Sequence, residues 1–353
     1  MRTGKENGLL MPTTTGTTGQ VLVSSGTSGV SWGNALSVAG NSGELQFNSG
    51  SNTLSSSTYI KAENGYLRLA NGLPSTAASG GIIMGSKEIA GRMIPAWVDS
   101  SGLDCTAQSN FGRNRIVRLN PVVNVATPTL DGISIATAQT ATARAMSATN
   151  LYSSVARYSV VGSTNLSGSI AGWRTANLQW WRGSVSKAGG FFYSHTFGIS
   201  NASAQANGRA FVGLMGSNSA PSNVEPTTLV NCIGMTRLNS STNWSIYGSD
   251  ASAPGSVIVD LGSNFPANTV STDLYRLTLY CPPNSTYVNW RVERVNVADS
   301  TTGFPIAVSG TITDSNLLPV NSVFLAAQSW VSTGTLTGSA VFDTFNFYME
   351  TDT

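Results

Sequence analysis

The chain has 353 residues, of which only 10% are charged and 41% hydrophobic, with 19 basic against 17 acidic side chains and a net charge of +2. A coiled coil needs charged flanking positions and a disordered chain needs few apolar residues with high net charge, so both are excluded. No basic run of five gives nucleic acid an electrostatic footprint, and no stretch of 18 apolar residues could span a bilayer.

Residues 1–18 carry Arg2, Lys5 and Glu6 without an apolar core, so neither a signal peptide nor membrane insertion is expected and the protein reads as soluble. Over residues 19–90 Gly, Ser, Thr and Asn dominate, and one pattern recurs. Gly19-Gln-Val-Leu-Val-Ser-Ser-Gly26, Gly43-Glu-Leu-Gln-Phe-Asn-Ser-Gly50 and Gly65-Tyr-Leu-Arg-Leu-Ala-Asn-Gly72 each have glycine at both ends and apolar residues at the third and fifth places. That spacing puts Val21 with Val23, Leu45 with Phe47 and Leu67 with Leu69 on one face of a short strand, and the Ser-Gly and Asn-Gly pairs supply turns. Each unit offers too few side chains to bury its own face, so several copies of the chain are expected to bury them together. The alternative is a flexible Gly/Ser linker in which the repeat is accidental.

Residues 91–353 have a globular texture and hold seven of the eight tryptophans. Strand-like runs occur at 157–162, 191–200, 210–216, 229–236, 244–248, 256–261, 273–281, 287–297, 323–331 and 340–350, separated by turn clusters such as Gly216-Ser-Asn-Ser-Ala-Pro221. About ten strands with hardly any helical periodicity predict an all-β chain whose second part is an antiparallel β-sandwich, jelly-roll or lectin-like. Ala136 to Ala148 is ambiguous: its composition favours helix, whereas its β-branched content and lack of a 3.6 period favour strand.

Little in the sequence points to catalysis. His195 is the single histidine and no GxSxG elbow occurs, so a Ser/His/Asp triad is unsupported and a satisfied structural histidine is expected. Cys105, Cys232 and Cys281 are too few for a disulfide framework and form no CxxC pair for zinc, which leaves buried free thiols. No P-loop or GxGxxG is present, most acids sit at turns, and neither metal nor cofactor is expected. A saccharide site needs a flat apolar surface for the ring and planar polar groups for its hydroxyls. Trp180-Trp-Arg182, Asn243-Trp-Ser-Ile-Tyr247 and Asn289-Trp-Arg291 have that composition, and Trp181, Arg182, Trp244, Tyr247 and Trp290 are the candidate ligand-binding residues. The alternative is that these rings are sandwich core with Arg stacked at the edge.

Further segments carry a family likeness. Gly91-Arg-Met-Ile-Pro-Ala-Trp-Val-Asp-Ser-Ser-Gly-Leu-Asp104 and Gln108-Ser-Asn-Phe-Gly-Arg-Asn-Arg-Ile116 resemble the start of the C-terminal domain of tailed-bacteriophage tail fibre proteins. So do Gly189-Gly-Phe-Phe-Tyr193, Arg209-Ala-Phe-Val-Gly213, Ala220-Pro-Ser-Asn-Val-Glu-Pro226, Ile258-Val-Asp-Leu-Gly262, Phe265-Pro-Ala-Asn268 and Phe347-Tyr-Met-Glu-Thr-Asp352. The resemblance implies a homotrimeric virion fibre with residues 1–18 attached to phage tail or baseplate proteins, residues 19–90 as shaft or linker, and a distal domain that recognises a host-surface glycan or receptor. It carries over no catalytic residue. A tailspike-like polysaccharide depolymerase and a purely structural fibre or decoration protein are the alternatives.

The repeats generate a test of assembly. Changing Val23, Phe47 and Leu69 together to Asp should release monomers from a trimer in sedimentation, because threefold symmetry repeats the cost of each buried charge. A wild-type monomer would overturn the expectation.

Overall fold

The computed structural model describes residues 5–6, 9–10, 14–18, 20–24, 30–34, 44–48, 54–63, 66–69, 83–98, 104–106, 114–119, 121, 135–137, 140–142, 146–163, 166–184, 189–252, 256–267 and 269–352. They belong to two compact units, Met1–Glu88 with Met93–Ala107 and Ile89–Arg92 with Gln108–Thr353. In the first unit each repeat is a strand. Gln20–Ser24 pairs with Val30–Asn34, and Leu54–Glu63 pairs with both Glu44–Asn48 and Tyr66–Leu69. Among the expected contact residues Val21 is 45% exposed. The side chains of Val23, Leu45, Phe47, Leu67 and Leu69 lie outside those described.

The second unit is an antiparallel β-sandwich. One sheet has the order Thr140–Thr142, Tyr158–Val161, Val341–Asp352, Gly189–Ile199, Tyr275–Cys281, Val288–Ala298 and Pro305–Ile312, with Asn114–Leu119 also paired to Val341–Asp352. The other has the order Ile135–Thr137, Ile170–Thr175, Ala326–Ser332, Arg209–Met215, Cys232–Arg237, Ser245–Ser249 and Ser256–Asp260. Strand period decides which side chains meet between them. Tyr193, Phe197, Leu277, Leu279 and Phe347 of the first sheet share one core with Trp173, Val212, Leu214, Ile233 and Ile246 of the second.

All ten expected runs contain a strand. Within the ambiguous Ala-rich segment, strand prevails twice: Ile135–Thr137 pairs into one sheet and Thr140–Thr142 into the other. The opposite face of the second sheet is also closed. Phe211, Met215, Cys232, Tyr247 and Trp330 cluster there, beneath a strap over 217–231. Gln328 Nε2 donates to Ser219 O, Arg209 Nε to Glu225 Oε2 at 2.8 Å, and Tyr247 OH to the carbonyls of Thr227 and Leu229.

His195 lies at the middle of the sandwich, fully buried. Its Nδ1 is 3.1 Å from Ser329 Oγ and 3.2 Å from Tyr193 OH, and its Nε2 is 3.2 Å from Thr344 Oγ1. Thr344 Oγ1 also accepts from Trp173 Nε1 at 2.8 Å. Ser329 and Trp173 stand on the second sheet and the other three on the first, so the Ser329–His195 and Trp173–Thr344 bonds cross the core. Phe197, Phe342 and Phe347 surround the imidazole, and burial lowers its pKa from 6.5 to about 3.

The sign of the consequence follows from proton uptake. Below pH 6.5 the unfolded chain binds a proton that the folded chain refuses, so this stability is present above pH 6.5 and lost as pH falls toward 3. We expect unfolding free energy to decline by up to about 1.4 kcal/mol per pH unit between roughly pH 6 and 5 in denaturant titrations. Since no other histidine exists, His195→Gln should flatten that slope, and a wild-type slope of zero would overturn the assignment.

Candidate functional site

Three of the five residues expected to bind ligand are packing residues. Trp244 has no exposed surface and meets Phe197 and Tyr275 edge-on, at ring centroid distances of 5.4 and 5.8 Å. Trp290 lies in the same core, closely packed over Gly310, where a Cβ would come within 2.7 Å of the indole. Tyr247 is sealed under the strap. A buried ring has no face to offer a sugar, so the expectation is corrected for all three.

Arg182 is corrected as well, in a different way. It is 6% exposed, and its guanidinium is committed to the chain: Nη1 donates to Pro319 O at 2.9 Å and Nη2 to Ser285 O at 2.7 Å. Around it, Gly183 N donates to Asn321 O, Asn284 N to Arg182 O, and Trp180 and Leu325 form a β-bridge. Arg182 is thus a positioning residue that ties loops 282–287 and 319–325 to segment 179–184.

What this hub presents outward is aromatic. Trp181 is partly exposed and stacks on Phe324, with centroids 5.3 Å apart and planes 24° from parallel. Phe324, 49% exposed, escaped the sequence reading. The available signal was alternation in 323–331, which sets Phe324 on the side opposite the buried Leu325 and Ala327.

Two glycines let the hub close. Gly189 and Gly190 have φ of +78° and +80°, and there is no room for a side chain at either: a Cβ would lie 2.6 Å from Gly183 Cα at the first and 2.6 Å from Pro283 N at the second. Beside Gly190 a cleft of about 100 Å³ is lined by Arg92, Phe192, Tyr280, Cys281 and Glu350 among others. Arg92 bonds both carboxylate oxygens of Glu350, at 2.8 and 2.5 Å, and its guanidinium lies 5.0 Å over the Phe192 ring. Although burial opposes its charge, these bonds to Glu350 hold the Arg92 pKa above its usual value. Tyr348 OH donates to Glu350 Oε2. Burial pushes the Cys281 thiol up to about 11, which leaves it a poor nucleophile.

The arrangement can hold a flat, partly apolar molecule against Trp181 and Phe324. It supplies little for proton transfer, since the carboxylate of the cleft is bound by Arg92 and Tyr348. Among the described residues no group of three metal-ligating side chains occurs, and no helix is long and apolar enough to cross a membrane.

No family model matches the sequence, and no curated protein matches it. Solved structures similar to it include a protein of unknown function from Shewanella oneidensis MR-1, at 9% identity and TM-score 0.44 over 69% of this chain and 89% of that one. Peanut lectin matches at 12% identity and TM-score 0.42, over 68% of this chain and 98% of its own. Lectin II from Ulex europaeus matches at 12% identity and TM-score 0.43, over 69% and 100%. At these scores nothing about function follows from the likeness.

The packing assignments separate the tryptophans by stability. Trp244→Ala and Trp290→Ala should each cost about 3–5 kcal/mol in urea unfolding. Trp181→Ala and Phe324→Ala should cost about 1 kcal/mol, the scale of one partly exposed ring pair. Equal losses at all four positions would contradict the division between core and surface.

Proposed function

We propose that the chain is a tailed-bacteriophage fibre protein, a homotrimer attached to the virion through its N-terminus, whose sandwich binds a host-surface glycan without cleaving it. The observation that carries glycan binding is the exposed Trp181–Phe324 stack, held rigid by Arg182 at one end of the sandwich. Ring faces pack against the CH face of a sugar, and the surrounding loops offer carbonyl and hydroxyl partners.

The fibre reading draws support from how the family-like segments use one another. Arg209 of one such segment pairs with Glu225 of a second at 2.8 Å, and Arg92 of another pairs with Glu350 near the end of the chain. Residues that carry the resemblance are thus partners in the same ion pairs within this chain. A trimer also suits the modest size of the aromatic surface, because three weak linked sites gain roughly a hundredfold or more through effective concentration. Binding without cleavage is favoured by the pairing of Glu350.

Labelled protein should adsorb to cells of the bacterial host. Trp181→Ala should reduce adsorption at least about tenfold while lowering the melting temperature by only about 2–4 °C, since loss of one ring contact is multiplied across linked sites. Undiminished adsorption of the variant rejects the site. Release of oligosaccharides from host polysaccharide, seen by chromatography, would favour a depolymerase instead.

A further inference from the structure

The outer faces of the two sheets differ. That of the second is sealed under the strap over 217–231, whereas the first keeps a polar strip open across its strands. In neighbouring strands of the first sheet Val117, Phe347, Tyr193, Leu277 and Trp290 turn into the core, so alternation turns the residue after each of them outward. Register lines those residues up in one row: Arg118 faces Tyr348, Tyr348 faces Ser194, Ser194 faces Thr278, and Thr278 faces Arg291. At about 4.8 Å between strands the row spans roughly 19 Å.

Both sides of the row are raised. On one side the Arg92 guanidinium lies 5.0 Å over the Phe192 ring, bound by Glu350. On the other, helix Leu151–Ser154 packs Tyr152 against Leu274 and Phe345. Only the short side chains Ser194, Thr196 and Thr278 lie between, so the surface is a trough that crosses the strands. Thr196 and Thr278 are buried, which leaves arginines and the hydroxyls of Ser194, Tyr348 and Ser309 facing solvent.

Cations outnumber carboxylates in this trough. Arg276 and Arg291, 43% and 34% exposed, share the single carboxylate of Glu293 at 3.4 and 3.1 Å, and Arg118 is exposed as well. Arg276 Nε donates to Thr196 Oγ1, but Nη2 of Arg276 and both Nε and Nη1 of Arg291 meet no acceptor among the described residues. Acids around the trough already have arginines of their own: Asp343 has Arg157, Glu350 has Arg92 and Asp273 has Arg294. Asp352 stands beyond the Arg92 side, opposite Asn114 and Gly189.

We infer that this trough is a second docking site, for an acidic polysaccharide whose carboxylate or phosphate groups meet Arg276 and Arg291. A guanidinium offers paired N–H donors that match either oxyanion. The hydroxyls of Ser194, Tyr348 and Ser309 exchange hydrogen bonds with those of the sugar. A protein partner would call for apolar or aromatic anchors at the centre, where short hydroxyl side chains stand instead. Nucleic acid would call for a larger cationic footprint than three arginines on a chain of net charge +2. This inference rests on the reading of the chain as a glycan-binding fibre protein and adds negative charge to the class of glycan.

The test is retention of the full chain on immobilised polygalacturonate, teichoic acid, dextran and duplex DNA. Retention on polygalacturonate or teichoic acid is expected, falling about tenfold or more from low to high salt as exposed charges are screened. Which of the two is held separates a carboxylate from a phosphate ligand. Arg276→Gln combined with Arg291→Gln should lower retention about tenfold or more. Because that change strips Glu293 of both partners, a second variant leaves the arginines in place: Ser309→Glu with Asn346→Glu, at exposed positions flanking them, should lower retention as much by opposing the ligand's charge. Equal retention on dextran, tighter retention on DNA than on either acidic polysaccharide, no retention on either of those, or variants retained like the wild type would each overturn the inference. If Trp181→Ala loses adsorption to host cells and the wild type ignores both acidic polysaccharides, the aromatic site stands and this one falls. If the arginine and glutamate variants lose retention while Trp181→Ala keeps both retention and adsorption, this site stands without the aromatic one.

Discussion

The hydrogen bonds that pass through His195 set the relation of the two sheets. Apolar faces alone tolerate small slides, because many offsets bury similar area. A slide here would separate His195 from Ser329 and Trp173 from Thr344, leaving buried polar groups unpaired at about 1–3 kcal/mol each. The penalty is specific to one alignment, which makes the polar centre a register device inside an aromatic core. Strand Gly189–Ile199 carries this alignment outward from His195 to the glycine pair, and so to the loops held by Arg182.

With the sheets fixed, geometry leaves few places for recognition. The strap over 217–231 seals the outer face of the seven-stranded sheet, burying Phe211, Tyr247 and Trp330 between two layers of protein. The core occupies the space between sheets. Exposed aromatic surface therefore appears at the strand ends, where loops can change composition without disturbing either packed layer.

Much of the architecture was legible because alternation in Leu274–Tyr280 sets Tyr275, Leu277 and Leu279 into the core between the sheets. Ile170–Thr175 escaped for a physical reason. Gly172 passes so close to Trp330 that a Cβ would lie 2.6 Å from its Cα, and the small residues that permit this approach erase the alternating pattern. Pro305–Ile312 was hidden likewise by its leading proline and by Gly310, which makes room for Trp290. The site was less legible than the fold. A Trp beside Asn or Arg has the same composition in a core as on a surface, so Trp244, Tyr247 and Trp290 read as binding residues until burial was known. The contact of Trp181 with Phe324 joins positions far apart in the chain, and no local spacing encodes it.

The antiparallel pairing of Asn114–Leu119 with Val341–Asp352 has a mechanical meaning. Six residue pairs, from Asn114 with Asp352 to Leu119 with Phe347, lie along the direction in which tension on the preceding chain would pull the first strand. Tension applied between the start of that strand and the opposite end of the sandwich loads the ladder in shear, so its bonds resist together instead of opening one at a time as in a zipper. Forced unfolding is governed by an unfolding rate, and a strand loaded in this way raises the force at which that rate becomes appreciable.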